Sequence, residues 1–267
     1  MKRIYINLAA LLFLSLTFSC KKGSVQQIDQ KVDANSAQVK FFNFGISSPS
    51  INFYANNLKI SGTLSSTGTE STTGVSYGSV FPASNYSVLA AGQYTFKGQI
   101  PSTASANADL AIATLAGTLA PGKSYSVYTC GFYNTTAKTS DAFMVEDVLP
   151  AVAGSSDNAY VRFVNTIPNA AAPLSLYAKN TTTATETIVA TSIAYKSGSA
   201  FATVPSGVYE LYARYASAPT VNVVSRNGTS VVSFVAGRAY TISSRGDITI
   251  TSSSAATRPF LDNTPNR

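Results

Sequence analysis

The chain has no histidine, no tryptophan, two cysteines and few charges: Asp, Glu, Lys and Arg make up 12% of its 267 residues, about half the roughly 25% usual in soluble domains. Each shortage removes a class of chemistry. Gly74-Val-Ser76-Tyr-Gly78 matches the G-x-S-x-G nucleophile elbow, but without histidine no imidazole can accept the serine proton. The Ser/Lys alternative, S-x-x-K, falls on Ser19 to Lys22, inside a processing segment described below. A structural zinc site lacks its usual nitrogen and sulfur ligands. Of the 12 acidic residues only Glu146 and Asp147 are adjacent, and neighbours on a strand point to opposite faces. No paired carboxylates of the glycosidase kind are therefore expected. Catalytic residues, metals and cofactors are accordingly expected to be none, with a surface calcium site of loop Asp, Asn and carbonyl oxygens left open.

Helical periodicity is missing too. No window combines a 3.6-residue apolar stripe with caps. Ala104 to Ala120 is alanine-rich, but Asn107, Asp109 and Gly117 interrupt it and its Thr/Leu alternation suits a hairpin. From Lys31 to Arg267 the basic residues are spread singly rather than clustered between aromatics, so a nucleic-acid footprint is absent and no nucleic-acid partner is expected. What is abundant is Ser, Thr, Val and 29 Tyr plus Phe, the composition of pleated, partly buried strands.

Those strands recur. Val39-Lys-Phe-Phe-Asn43 returns as Val161-Arg-Phe-Val-Asn165, and Ile51-Asn-Phe-Tyr54 as Leu174-Ser-Leu-Tyr177. Val75-Ser-Tyr77 returns as Ile193-Ala-Tyr195, and Leu89-Ala-Ala-Gly92-Gln-Tyr94 as Val204-Pro-Ser-Gly207-Val-Tyr209. Leu119-Ala-Pro-Gly122-Lys-Ser-Tyr125 corresponds to Val235-Ala-Gly237-Arg-Ala-Tyr240. This last pair decides the meaning of Gly117 to Ser124, which fits the phosphate-cradling G-x-x-x-x-G-K-S. The second copy keeps the turn and the tyrosine but loses Lys-Ser, and a strand follows where a phosphate site needs a helix. The Ser76 position likewise becomes Ala194 in the repeat.

The spacing of the motifs changes only between them, as length changes in surface loops would produce. It predicts an all-β protein with two tandem immunoglobulin-like β-sandwich domains of about seven half-buried strands each. The expected organisation is a cleaved signal segment over 1–19, Cys20 and a flexible tether over 20–36, repeat one over 37–149 and a linker over 150–158. Repeat two follows over 159–251, and a C-terminal tail over 252–267. Tyr125 and Tyr240 are placed for a tyrosine corner, in which the hydroxyl bonds back to the turn backbone. Tyr54, Tyr77, Tyr94 and Tyr128 read as core. Tyr133, Tyr212 and Tyr215 are the candidate exposed aromatics for ligand contact, since an exposed ring stacks on a sugar while its hydroxyl stays wet.

Lys2 and Arg3, the apolar run Ile4 to Phe18 and the ending Leu16-Thr17-Phe18-Ser19-Cys20 resemble a bacterial lipoprotein signal with the loose Ser-Cys junction of Bacteroidetes. The resemblance implies cleavage before Cys20, acylation of its thiol and a membrane held through several acyl chains. Cleavage would leave 17 basic against 12 acidic residues, net +5. Cys130 would then have no disulfide partner and read as a small buried strand residue. The repeat motifs, taken together over about residues 37 to 251, resemble the domain of unknown function 4397, which occurs in envelope lipoproteins, often as paired repeats. Its first copy departs most at the Gly/Ser/Thr-rich insertion Ser61 to Gly74. The family carries no known catalytic residues to these positions. The combined expectation is a non-enzymatic outer-membrane lipoprotein, structural, adhesive or partner-presenting. The alternative is a glycan-binding accessory protein for polysaccharide capture. It would face the periplasm or the cell surface, and the lack of an acidic run after Cys20 leans toward the periplasm.

Overall fold

The computed structural model describes residues 33–62, 72–151 and 157–267. The signal peptide, Cys20, most of the tether, the heart of the 61–74 insertion and most of the linker lie outside the described residues. Within them the protein is an all-β sandwich whose one regular helical element is a single 3₁₀ turn at Gly228–Ser230. The first repeat builds β1 (Ser36–Asn43), β2 (Asn52–Ala55), β3 (Leu58–Lys59), β4 (Ser79–Phe81), β5 (Ser87–Ala90), β6 (Gly92–Gln99), β7 (Ala111–Leu119), β8 (Ser124–Asn134) and β9 (Thr139–Glu146). One sheet runs β4-β1-β8-β9, with β5 also on β1, and the other β3-β2-β6-β7. Between them lies a core of Phe41, Phe53, Phe96, Ile51, Ile112 and Val127.

The second repeat copies this plan. It builds β10 (Asn158–Asn165), β11 (Leu174–Asn180), β12 (Glu186–Ile193), β13 (Ser197–Gly198), β14 (Ala202–Pro205), β15 (Gly207–Tyr215), β16 (Val224–Arg226), β17 (Val232–Phe234), β18 (Ala239–Arg245) and β19 (Phe260–Pro265). The seven strands expected per repeat are nine positions, the seventh being split into β16 and β17 in the second copy. In both copies the first strand pairs parallel with the strand after the tyrosine turn, β1 with β8 and β10 with β18. The expected tail over 252–267 is corrected: β19 pairs antiparallel along β18, as β9 does along β8. The second repeat thus runs to the end of the described chain. Its last strand is hard to recognise because Phe260-Leu-Asp-Asn-Thr-Pro265 carries one large apolar residue facing the core, Leu261.

The repeated residues are those that close turns. Gly122 and Gly237 hold φ of 70° and 73°, a region that costs L-residues energy. Just after each, Tyr125 and Tyr240 are buried, and their hydroxyls accept hydrogen bonds from the backbone N–H of Ala120 and Val235, both at 3.1 Å. Tyr94 and Tyr209 do the converse, donating to the carbonyls of Ala90 (2.9 Å) and Pro205 (2.8 Å). Asn43 and Asn165, buried at the ends of β1 and β10, donate through Nδ2 to the carbonyls of Val75 (2.8 Å) and Ile193 (3.0 Å). Each repeated polar side chain thus bonds a backbone group at a turn or strand end.

The strands β1, β8, β10 and β18 are not half-buried. They are covered on both faces, because the β1 sheet packs its outer face against the outer face of the β10 sheet. Tyr128, expected in a repeat core, is in this seam, fully buried and stacked on Phe42 at 4.2 Å and Phe143 at 4.9 Å. Its hydroxyl meets Ser243 Oγ at 3.2 Å. Cys130 is buried beside it, and burial pushes its thiol up to about 12, which leaves it protonated and unreactive. The two repeats therefore fall within one compact unit, Val32–Arg267.

The seam obeys a pseudo-twofold relation. Lys40 on β1 and Arg162 on β10 occupy the same repeat position, and each reaches across to the other copy's last strand. Lys40 Nζ donates to the carbonyls of Pro265 (2.9 Å) and Ser84 (3.1 Å). Arg162 donates to the carbonyl of Glu146 at 3.1 Å and to the Asp147 carboxylate, and its Nε donates to Thr241 Oγ1 at 2.8 Å. Each cation lies 5.0 Å from a ring centroid of its own repeat, Tyr86 for Lys40 and Phe201 for Arg162. Asp147 also accepts from Tyr86 (2.7 Å) and Ser126 (2.8 Å), and its counterpart is the neutral Asn266, which donates to Tyr86 Oη at 2.6 Å.

Two measurements test this account. Tyr125→Phe and Tyr240→Phe should each cost about 1 kcal/mol or more in urea unfolding, because each orphans a turn N–H. Neutral outcomes for both would dismiss the corner bond. Lys40 is lowered to about 8, first by burial and against the opposing charge of Asp147. Between pH 8 and the unfolded value of 10.5 the unfolded chain binds more protons at this site, so stability should rise with pH there. Measured against Lys40→Met, wild-type unfolding free energy should gain steadily from pH 7.5 to 10.5. A flat difference curve would contradict it.

Candidate functional site

A concavity of about 740 Å³ opens at one end of the first repeat. That volume lies within the roughly 300–1,000 Å³ of small-molecule pockets. It is made by an interruption of β8. Gly131 takes φ of 76° and the β8–β9 register breaks between Cys130 and Asn134. The strand end bends toward the Phe44–Ile46 segment: Ile46 N–H donates to the Gly131 carbonyl at 2.7 Å and Tyr133 N–H to the Ile46 carbonyl at 3.0 Å. This leaves Phe132 48% exposed and turns Tyr133, half-buried, into the cavity wall against the core.

Opposite Tyr133 stand Ser47–Ser50, Pro101, Thr103 and Asn107, with Lys138 the one cation of the lining. Thr103 Oγ1 donates to the Thr72 carbonyl at 2.8 Å, and the Asn134 side chain caps the turn before Lys138 by accepting from the N–H groups of Thr136 and Ala137. Among the described residues the lining has hydroxyls, one side-chain amide, one aromatic ring and no carboxylate. Such a wall can stack on a ring and hydrogen-bond hydroxyl groups. Among the described residues no three His, Cys, Asp or Glu converge as metal ligands. Glu146 and Asp147 do face opposite ways: Glu146 meets Lys123 at 2.9 Å on the surface while Asp147 is buried in the seam.

The other candidate aromatics lie elsewhere. Tyr212 is not exposed. It sits 8% accessible on the central strand β15, directly opposite Tyr177 on β11. The Arg214 guanidinium covers both rings, at 4.5 Å from Tyr177 and 5.2 Å from Tyr212, and is held bidentately by Glu186 at 2.7 and 2.8 Å. The Tyr212 hydroxyl donates to Glu210 at 2.7 Å. Tyr215, three residues on and hence on the opposite face, is half-buried against the core. Its hydroxyl accepts from Ala171 N–H at 3.0 Å. The three tyrosines therefore do not form one platform. Lys138 and the Pro101–Asn107 loop were not legible as site residues. The one local signal was a glycine immediately before Phe132-Tyr133 inside an otherwise regular strand.

A search of the curated proteins finds no match. Among solved structures, the chain is similar to the Bacillus anthracis TIE protein, at 12% identity over 79% of this chain and 34% of that one, TM-score 0.22. It is similar also to a leucine-rich repeat protein from Bacteroides thetaiotaomicron VPI-5482, at 12% identity over 80% of this chain and 26% of that one, TM-score 0.23. The chain spans about a third and about a quarter of those two proteins, and likenesses this distant carry no functional argument. Residues 37–177, the whole first repeat together with β10 and most of β11, match the model of the Domain of unknown function (DUF4397). That match covers more than half of the chain, which therefore belongs to the DUF4397 family.

Proposed function

We propose that the chain is a non-enzymatic cell-envelope lipoprotein, held at the outer membrane by an acylated Cys20 and serving as a structural, adhesive or partner-presenting module. The observation that supports it most is the buried seam. Two sheet pairs locked by Lys40, Arg162 and Asp147 present their loop ends in fixed relation, which suits a scaffold. The lipobox and the absence of histidine lend further support. In fractionated cells Cys20→Ser should move the chain from the membrane to the soluble pool while its unfolding midpoint stays unchanged. Retention in the membrane would reject the anchor. Digestion by protease added to intact cells would place the module outside, and protection until the outer membrane is opened would place it in the periplasm and remove adhesion.

Glycan capture is the second reading, and one feature favours it: the cavity beside Tyr133, whose described residues wall it with an aromatic and hydroxyl groups and bring no carboxylate to it. Exposed aromatic–sugar contacts depend on the ring face. Saturable binding on a glycan array should be lost in Tyr133→Ala and kept in Tyr212→Ala, whose ring is covered by Arg214. Equal loss in both, or no binding by the wild type, would set glycan capture aside.

A further inference from the structure

Phe260, the first residue of β19, carries three guanidinium groups around one ring. The Cζ atoms of Arg226, Arg245 and Arg258 lie 5.3, 5.4 and 5.0 Å from its centroid. One carboxylate stands among them. Asp262 accepts from Arg245 Nε at 2.5 Å and from its Nη2 at 3.4 Å. Arg226 and Arg258 have no carboxylate within salt-bridge distance among the described residues. Three cations against one anion leave a local excess of two positive charges in a chain that is otherwise poor in charge.

The cluster is built rather than accidental in its backbone. Arg226 Nε and Nη1 cap the carbonyls of Ser230 and Leu261, both at 2.8 Å, which ties β16 to β19 and fixes the guanidinium. Arg258 is placed by a tight loop closure. Gly246 has φ of 101°, and a Cβ there would come within 2.2 Å of the Arg258 carbonyl oxygen, while Asp247 N–H donates to the Thr257 carbonyl at 2.8 Å. The Arg258 side chain makes only one long contact, Nη1 to the Ala255 carbonyl at 3.4 Å. Tyr77 of the first repeat closes the far side, its ring 4.9 Å from Arg245. Gly78, next to it, makes room for the Arg245 guanidinium, which a Cβ would approach to 3.0 Å.

We propose that this Arg226–Arg245–Arg258 cluster is a binding site for a phosphate group. A guanidinium fork matches phosphate oxygens two at a time; Arg258, with a single 3.4 Å hydrogen bond, offers its fork, while Arg226 and Arg245, held by carbonyls and by Asp262, add charge. A phosphomonoester carries close to two negative charges at neutral pH, which matches the local excess where a carboxylate would leave one cation unpaired. The same chemistry is offered by an envelope lipid headgroup and by soluble phosphate.

The test uses the full chain with two probes: inorganic phosphate followed by calorimetry, and vesicles of phosphatidylcholine with or without phosphatidic acid followed by flotation. Comparing the two vesicle types cancels any attachment through the N-terminal segment. Saturable binding should weaken by about tenfold or more in Arg258→Gln, the loss of one charge-assisted contact. It should persist in Lys97→Gln, which removes the same charge from β6. Binding of both probes points to phosphate in general, and binding of phosphatidic acid vesicles alone points to a lipid headgroup; either supports the site. Failure of the wild type to bind either probe, or equal weakening in Lys97→Gln, overturns it. Unchanged unfolding midpoints in Arg258→Gln would show that a lost affinity is not lost folding.

Discussion

The structure turns on one buried ion pair. Arg162 and Asp147 are 1% and 3% accessible, belong to different repeats and bind each other at the centre of the seam. A charge buried there without its partner would cost several kcal/mol, whereas the pair together is close to neutral against an apolar substitute. The pair therefore contributes little net attraction but fixes register: each repeat holds the group that its neighbour's burial makes necessary. Ser126, Tyr86, Thr241 and the Glu146 carbonyl occupy the remaining hydrogen-bonding positions, so the network is satisfied, the condition under which buried polar groups specify one packing.

Around that pair the seam is nearly symmetric, and the departures from symmetry carry meaning. Lys40 and Arg162 reach equivalent carbonyls and lie over equivalent rings. A strictly symmetric interface would have a carboxylate at both Asp147 and Asn266. It has one carboxylate and one amide, so Lys40 sits buried among carbonyls with no carboxylate in contact, and burial outweighs the attraction of Asp147 in lowering its proton affinity. The same face-to-face logic governs isologous interfaces between identical subunits; here both halves are supplied by one chain. That the DUF4397 match runs past the first repeat into β10 and β11 accords with a unit that does not end at a linker.

For function, the seam removes one surface and frees others. It buries the outer faces of two sheets, which would otherwise be the broad flat surfaces open to partners. The outer faces of the other two sheets stay open, as the alternating exposure of β6, β7 and β12 shows, and so do the loop ends and sheet edges, where the Tyr133 cavity and the arginine cluster lie. The cavity is hydroxyl-rich with a single cation, and the cluster is cationic with a single carboxylate. Their chemistries differ enough that a neutral sugar suits one and an anion the other.

The sequence by itself determined the strands and turns. Gly122 and Gly237, Tyr125 and Tyr240, Tyr94 and Tyr209, and Asn43 and Asn165 all act within about 30 residues of chain, closing turns or capping a nearby strand. Their repetition exposed both the all-β class and the family resemblance, because local hydrogen-bond needs are written in local spacing. Alternation also separates Tyr212 from Tyr215, though not the burial of Tyr212, since Arg214 and Glu186 cover it from another strand. The tertiary structure alone decided what lies on the second face of β1, β8, β10 and β18. Lys40 and Arg162 look like solvent-facing residues of half-buried strands, and only the packing of one repeat on the other buries them. Phe260 and its three arginines likewise come from strands and loops up to 34 residues apart in a segment with weak apolar alternation. A period-two pattern records which residues share a face, but the partner of that face is a contact between distant parts of the chain, and no local spacing encodes it.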